Sequence, residues 1–258
     1  MASPAYLAKM PLHAITEVYG EDGLRQRFGL EISRFPVPDK ERLTEALDLA
    51  THLHRDDRRV REPYVNHLLR VAIRIMSHYG IDDVDVIVAA LLHDAVEDHP
   101  DELGGDAEAA LAELARRFNP RVADLVRAVT NPAYDPDLDR YEQYRAHVTE
   151  SLDRHPWARV IKVSDFTDNG VGVIHTTGPK VRSSALKYRP LVPVFRELMG
   201  RPDTPLSDPT KAHIMDQLDL AESRFAAILD GPEAGTTASD PSDASVAGSA
   251  TGSAPDVS

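Results

Sequence analysis

The stretch AALLHDAVEDHP at residues 89–100 runs from an apolar segment directly into a cluster of charged side chains. Its first four residues are apolar, and His93, Asp94, Glu97 and Asp98 follow within six positions. Because desolvating an isolated carboxylate costs several kcal/mol, charged groups almost never enter a core unpaired. The stretch therefore predicts a buried helix that places these groups beside a cationic partner. On a continuous helix, His93 and Glu97 would lie one turn apart, as would Asp94 and Asp98.

Two other segments interrupt an apolar helix with a side chain of the metal-ligand type. EPYVNHLLRVA places His67 one turn into an apolar helix. ARVIKVSDFTDNG places Asp165 directly after a buried-looking run, with Asn169 four residues later. Two imidazoles and two carboxylates from three helices would form a mixed nitrogen and oxygen site, which suits manganese, iron or zinc better than calcium. We therefore expect one divalent metal ion, held by His67, His93, Asp94 and Asp165.

Each of these residues also has an ordinary structural explanation. A lone histidine on an apolar face, such as His67, is more often a hydrogen-bonded core residue. Asp165 could pair with Lys162 or Arg159, and the acidic residues of the 89–100 stretch could be a solvated helix end. Metal binding is favoured by the combination, because coincidence would have to explain three such interruptions at once.

Composition excludes several classes of function. The chain has 258 residues, no cysteine and a formal net charge of -13. The lack of cysteine excludes disulfides, thiolate zinc sites and cysteine nucleophiles. The negative charge argues against broad nucleic-acid binding, and no apolar run of about 18 residues predicts a membrane span. We expect a cytoplasmic protein with a small-molecule substrate and no nucleic-acid or membrane partner, and its oligomeric state is unknown from the sequence.

The apolar spacing between residues 39 and 229 is helical, and we find no convincing strand periodicity. We therefore predict an all-α, compact multi-helix domain over 39–230. An N-terminal extension over 1–38 should precede it. A tail over 231–258 lacks lysine, arginine and large apolar residues, so it is predicted to be disordered.

The motifs occur in an order that resembles the HD superfamily of metal-dependent phosphohydrolases. Within it, the chain is most similar to the hydrolase domains of RelA/SpoT-type proteins and to the small alarmone hydrolases. The resemblance covers about half of the chain and rests on the run from His54 to Arg59, EPYVNH at 62–67, AALLHDAVED at 89–98, RRFNPRVADLVRAVT at 116–130 and VIKVSDFTDN at 160–169. It implies an HD/PDEase-like helical architecture.

The resemblance also implies roles for individual residues. It gives manganese as the usual ion, with the four ligands His67, His93, Asp94 and Asp165. Glu97 and Asp98 match an acidic pair that positions or activates the attacking water, while Arg59 and Asn169 match positions that contact the nucleotide. The implied reaction is hydrolysis of the 3′-pyrophosphate of (p)ppGpp, which gives GDP or GTP and pyrophosphate.

One departure from the family pattern concerns the expected substrate surface. In SDFTDN, Phe166 stands where the family usually has a basic residue after the last aspartate, at a position expected near the substrate. Two alternative functions therefore stay open. The chain could be an HD phosphohydrolase that acts on a different nucleotide or phosphoester, or a non-catalytic metal-binding protein that senses a nucleotide.

Overall fold

The described part of the chain is built from α-helices joined by short connections. The computed structural model describes residues 4–59, 62–175, 178 and 180–230, and these residues form no β-strand. The all-α prediction is confirmed. The tail predicted over 231–258 lies outside the described residues. No helix in the described ranges combines the length and the apolar character that a bilayer span requires.

The helices follow one another closely along the chain. In order they are α1 (Pro4–Leu7), α2 (Leu12–Ile32), α3 (Val37–Leu53), α4 (Val65–Ser77), α5 (Val84–Leu91), α6 (Ala95–Asp98), α7 (Pro100–Leu103), α8 (Ala107–Arg117), α9 (Pro120–Val129), α10 (Arg140–Arg154), α11 (Pro156–Asn169), α12 (Lys180–Tyr188), α13 (Val192–Gly200) and α14 (Asp208–Leu229). Short 3-10 segments occupy Val171–His175 and Arg189–Leu191. Helices α12 and α13 are separate, because Pro190 between them lacks the backbone N–H that a continuous helix needs.

Helix α4 lies at the centre of the fold. Every residue from Val65 to Met76 is buried. A helix that is buried on all sides must be covered by neighbours on every face, and α4 packs against α2, α5 and α11. This arrangement places His67, near the start of α4, in the interior of the domain.

The N-terminal stretch packs onto this centre. Helix α2 lies against α4, and its side chains Leu12, Ile15, Leu24 and Phe28 are buried in the common core. The helix kinks at Gly20, whose φ of 61° lies in the left-handed region that glycine adopts without steric cost. Residues before position 38 therefore contribute to the core, and the domain boundary at 38 remains a prediction.

The helix predicted to pass through the 89–100 stretch is interrupted. Helix α5 begins after Asp83, whose carboxylate accepts bonds from two backbone N–H groups of the first turn, and it ends at Leu91. Residues 92–94 form a turn, and α6 then starts at Ala95. The one-turn spacing expected between His93 and Glu97 on a continuous helix is therefore wrong. The break falls at His93 and Asp94, two of the four residues that were predicted to be ligands.

Candidate metal centre

Three elements meet at a buried cluster of imidazole and carboxylate groups. Helix α4 contributes His67, the turn after α5 contributes His93, and α11 contributes Asp165. One ligand atom from each lies within 4.8 Å of the others. Asp94 joins them, with Oδ2 3.1 Å from His93 Nε2 and 3.8 Å from His67 Nε2. The four residues predicted as ligands are thus neighbours in space.

Hydrogen bonds orient both imidazoles toward the cluster. His67 Nδ1 lies 2.8 Å from Asp168 Oδ2, and His93 Nδ1 lies 2.8 Å from the carbonyl oxygen of Ala90. Since both partners are acceptors, each ring donates a hydrogen bond from Nδ1 and turns Nε2, the nitrogen that a bound ion would contact, inward. Both Nε2 atoms are buried without a hydrogen-bond partner. A buried polar atom left unsatisfied costs about 1–3 kcal/mol, and a divalent cation is the group that this donor set fits.

The pKa shifts of His93 and Asp94 show that the cluster favours a positive charge beside its carboxylates. Burial alone would lower the pKa of His93, but the carboxylates of Asp94 and Asp165 outweigh it and raise that pKa to about 10. His93 in turn holds the pKa of the Asp94 carboxyl below its usual range, although burial opposes the shift. A proton is held at the point where these groups converge, and a bound cation would take its place.

Asp165 is fixed from both sides. Its Oδ2 lies 3.0 Å from Lys162 Nζ in a buried ion pair, and its Oδ1 accepts a 2.5 Å bond from Asn169 Nδ2. The pairing with Lys162 considered from the sequence is therefore present, and it leaves Oδ1 facing His67 at 3.3 Å. Arg159, the other partner considered, bonds to Asp203 instead.

Asp168 is an important residue that sequence reasoning missed. Its side chain is fully buried, and besides His67 it accepts bonds from Arg70 at 2.9 Å and Arg74 at 3.1 Å. Burial opposes ionisation, but Arg70 outweighs it and holds the pKa of Asp168 well below its usual range. A carboxylate behind a metal-binding histidine fixes the ring and raises its basicity. The available signal was the pair of arginines one turn apart on apolar α4, because buried guanidinium groups require a carboxylate.

A cavity of about 720 Å³ opens beside the cluster. Its lining includes two tyrosines as well as both residues predicted to contact the nucleotide and two further cations: Tyr64, Tyr188, Arg59, Asn169, Arg58 and Lys180. Arg70 also lines it, paired with the acids Glu62 and Asp168, and Glu17 is a third acid in the lining. Arg59 Nη2 donates a 2.6 Å bond to Asn169 Oδ1, so the two residues predicted to contact the nucleotide touch each other. Tyr64 donates a 2.8 Å bond to Asp94 Oδ2. The cavity wall is therefore bonded directly to the cluster.

The predicted acidic pair lies at the surface, outside the group of residues that converge on the cluster. Glu97 is exposed and accepts bonds from the backbone N–H and side-chain amide of Asn131, at 3.2 and 2.8 Å. Asp98 also reaches solvent. Partial desolvation, together with the charges of Asp94 and Glu97, raises the pKa of Asp98 to about 6. Such a carboxyl can exchange a proton near neutral pH.

Phe166 does not line the cavity, so the expectation that it lies near the substrate is wrong. It is 1% exposed and packs against Phe195 at 4.8 Å and Tyr188 at 6.1 Å between ring centroids. Successive residues on a helix point about 100° apart. With Asp165 directed at the cluster, the next side chain therefore turns into the core.

We expect His13 of α2 to make the free energy of unfolding depend on pH. Burial lowers its pKa from 6.5 to about 4, with Asp168 opposing. Between these values the unfolded chain binds a proton that the folded protein refuses, so stability is lost as pH falls from 6.5 toward 4. We expect this histidine to reduce the free energy of unfolding by about 2.5 kcal/mol at pH 4.5 relative to pH 7.5. Urea unfolding of metal-free protein at both pH values measures it. A His13→Gln variant with an equally steep pH dependence would contradict the assignment.

Comparison with known proteins gives one family and a consistent set of relatives. Residues 46–154 match the HD domain family. The mouse guanosine-3′,5′-bis(diphosphate) 3′-pyrophosphohydrolase MESH1 is 39% identical over 48% of this chain and 64% of its own length. The guanosine-3′,5′-bis(diphosphate) 3′-pyrophosphohydrolase of Aquifex aeolicus is 31% identical over 58% of this chain and 20% of its own. The chain thus spans less than two thirds of these curated relatives.

A solved structure has a similar fold. It is described as a metazoan ortholog of SpoT that hydrolyses ppGpp and plays a role in starvation responses. The match has a TM-score of 0.55 and 27% sequence identity, and it covers 74% of this chain and 97% of the other. About three quarters of this chain therefore has a fold similar to that of the other protein.

Proposed function

We propose that this chain, whose residues 46–154 match the HD domain family, is a metal-dependent phosphohydrolase that removes the 3′-pyrophosphate of (p)ppGpp or of a related nucleotide. The observation that supports this most strongly is the convergence of His67, His93, Asp94 and Asp165, with two buried and unsatisfied imidazole nitrogens, beside a cavity lined by cations. The resemblance to alarmone hydrolases, seen first in the motifs, supports the choice of substrate.

His67, His93, Asp94 and Asp165 would hold one divalent ion in the proposed enzyme. Mn²⁺ is proposed because a mixed set of imidazole and carboxylate ligands suits it and because it is the usual ion of the family that the motifs resemble. When bound, such an ion lowers the pKa of a coordinated water and polarises a phosphoryl oxygen. Asp168 and the Ala90 carbonyl keep the two imidazoles in the tautomer that this role requires.

The cavity supplies the charge that the substrate needs. Arg58, Arg59 and Lys180 line it, and guanidinium groups bind phosphate through paired hydrogen bonds. Arg59 is already held by Asn169 and lies over the Tyr64 ring, with its guanidinium carbon 5.3 Å from the centroid. A preset guanidinium loses less conformational entropy on binding. These residues would therefore orient the 3′-pyrophosphoryl group toward the cluster.

The proposed reaction is a hydrolysis. Water attacks the phosphorus atom bonded to the 3′ oxygen, and the bond from this phosphorus to the 3′ oxygen breaks. The products are pyrophosphate and a nucleotide with a free 3′ hydroxyl. Glu97 and Asp98 are the carboxylates proposed to accept the proton of the water and return it to the leaving oxygen. A pKa of about 6 suits Asp98 to this exchange.

Substrate choice is tested by a panel of nucleotides with Mn²⁺. We expect the highest kcat/KM on ppGpp or pppGpp, with pyrophosphate released and GDP or GTP formed. A dNTP, a dNMP or a cyclic dinucleotide hydrolysed more efficiently would assign the chain to a different HD phosphohydrolase. Measurable ppGpp affinity with no product at high enzyme concentration would instead identify a nucleotide sensor.

Replacing Glu97 separates the proton-transfer role from metal binding. Glu97→Ala should retain the metal and lose turnover by about 100-fold or more, since a positioned acid or base contributes that much. The matched control is Glu113→Ala, which removes an exposed glutamate that pairs with Arg116 on α8 and should leave turnover unchanged. Metal analysis and steady-state kinetics are the measurements. Normal turnover in Glu97→Ala would remove this residue from the mechanism.

A further inference from the structure

A second cluster of metal-ligand side chains lies outside the first. One ligand atom each from His54, Asp57 and His99 lies within 4.8 Å of the other two. Asp57 Oδ2 is 2.7 Å from both His54 Nδ1 and His99 Nε2. Two imidazoles from separate elements, the end of α3 and the turn before α7, thus converge on one carboxylate oxygen. None of these residues belongs to the set proposed for hydrolysis.

The cluster combines a buried imidazole, that of His54, with the partly exposed carboxylate of Asp57. The His54 ring is 1% exposed and turns Nδ1 toward Asp57, whose side chain is 35% exposed. His99 Nδ1 lies 3.7 Å from Glu102 Oε1. This separation is too long for a hydrogen bond, and the Glu102 carboxylate accepts bonds from Arg55 instead.

We propose that His54, Asp57 and His99 bind a second divalent transition-metal ion, Zn²⁺ or Co²⁺ by preference. Two imidazoles and one carboxylate form a set that these ions accept, with the exposed side leaving a position for water. Calcium and magnesium are disfavoured because they prefer oxygen ligands. The proposal is independent of the hydrolytic function, since it uses different residues.

Tyr64 lies between the two clusters. Its ring stacks on His54 with centroids 4.7 Å apart, lies 5.7 Å from the His67 ring, and its hydroxyl bonds to Asp94. Paired ions in a dinuclear centre lie about 3.5–4 Å apart and share ligands. Because a tyrosine ring intervenes here, the second ion would occupy a separate site. Binding there would fix His54, and through it the ring that touches Asp94.

Counting ions tests the proposal. Purified full-length protein, stripped of metal and dialysed against Zn²⁺, should hold two ions per chain by elemental analysis. Asp57→Asn and His99→Ala should each hold one, and Asp165→Asn should also hold one, because it weakens the other site. The matched control is His52→Ala, which removes a nearby exposed histidine and should keep two. The proposal would be overturned if Asp57→Asn and His99→Ala both still held two ions. It would also be overturned if the parent protein held a single ion and Asp165→Asn held none.

A thermal measurement distinguishes the two sites without using activity. In the Asp165→Asn background, Zn²⁺ should still raise Tm, because an ion that binds only the folded state stabilises it. Adding Asp57→Asn should abolish that rise. If Zn²⁺ raises Tm equally in the Asp57→Asn/Asp165→Asn double variant, the second metal site does not exist. Loss of hydrolysis without a change in this Tm rise would concern only the site proposed for hydrolysis. Circular dichroism of each metal-free variant shows whether it has folded.

Discussion

His93→Ala and Asp165→Ala are each expected to lose one metal ion per chain and to reduce turnover about a thousandfold or more. The reason is that a bound ion supplies several kcal/mol of transition-state stabilisation, and each 1.36 kcal/mol is a factor of ten in rate. Each replacement removes a group that faces the centre of the cluster. Elemental analysis beside steady-state kinetics with Mn²⁺ measures both effects.

Two controls separate the loss of metal from the loss of fold. Asp165→Ala leaves the buried ammonium of Lys162 without its partner, so Asp165→Asn should accompany it as the milder change. His147→Ala removes a half-buried histidine that bonds only to the Thr130 carbonyl, and should keep metal and turnover. If His93→Ala and Asp165→Asn both keep the parent's metal content, the ligand assignment is wrong.

Asp168→Ala is expected to lower the free energy of unfolding by about 3–5 kcal/mol, the usual cost of removing one partner from a buried ion pair. The change leaves the guanidinium groups of Arg70 and Arg74 without the carboxylate that they share, although Arg70 keeps its bonds to Glu62 and Thr16. His67 also loses the acceptor for its Nδ1 proton. Metal affinity should therefore fall about 10–100-fold.

Urea unfolding and Mn²⁺ titration measure these two effects. The matched control is Glu197→Gln, which breaks the exposed pair with Arg201 and should cost less than about 1 kcal/mol. If Asp168→Ala also lowers the free energy of unfolding by less than about 1 kcal/mol and leaves metal affinity unaltered, Asp168 neither stabilises the core nor positions His67.

The all-helical class of the chain and the identity of the ligand-type residues could be predicted from the sequence, because both depend on local information. Apolar spacing at three and four residues marks a buried helical face wherever it occurs. A histidine or aspartate inside such a face requires a partner. His67, His93 and Asp165 were found in this way, and the ordered motifs around them indicated the family.

The break between α5 and α6 was not predictable in the same way. The segment 89–98 has uninterrupted helical character, and its turn is held by one bond within the segment and one from a distant part of the chain. The His93 imidazole bonds back to Ala90, and the Tyr64 hydroxyl, thirty positions earlier, bonds to Asp94. The direction of Phe166 likewise followed from where α11 meets α13 and α12.

The sequence by itself determined an all-helical chain with acidic and imidazole groups inside three apolar helices. Only the tertiary structure decided that Asp168 orients His67 from 101 positions away, and that His54, Asp57 and His99 meet. The physical reason is range: helix formation follows from neighbours one turn apart, whereas hydrogen bonds and ion pairs of about 3 Å join residues whose separation along the chain carries no information about their distance in space.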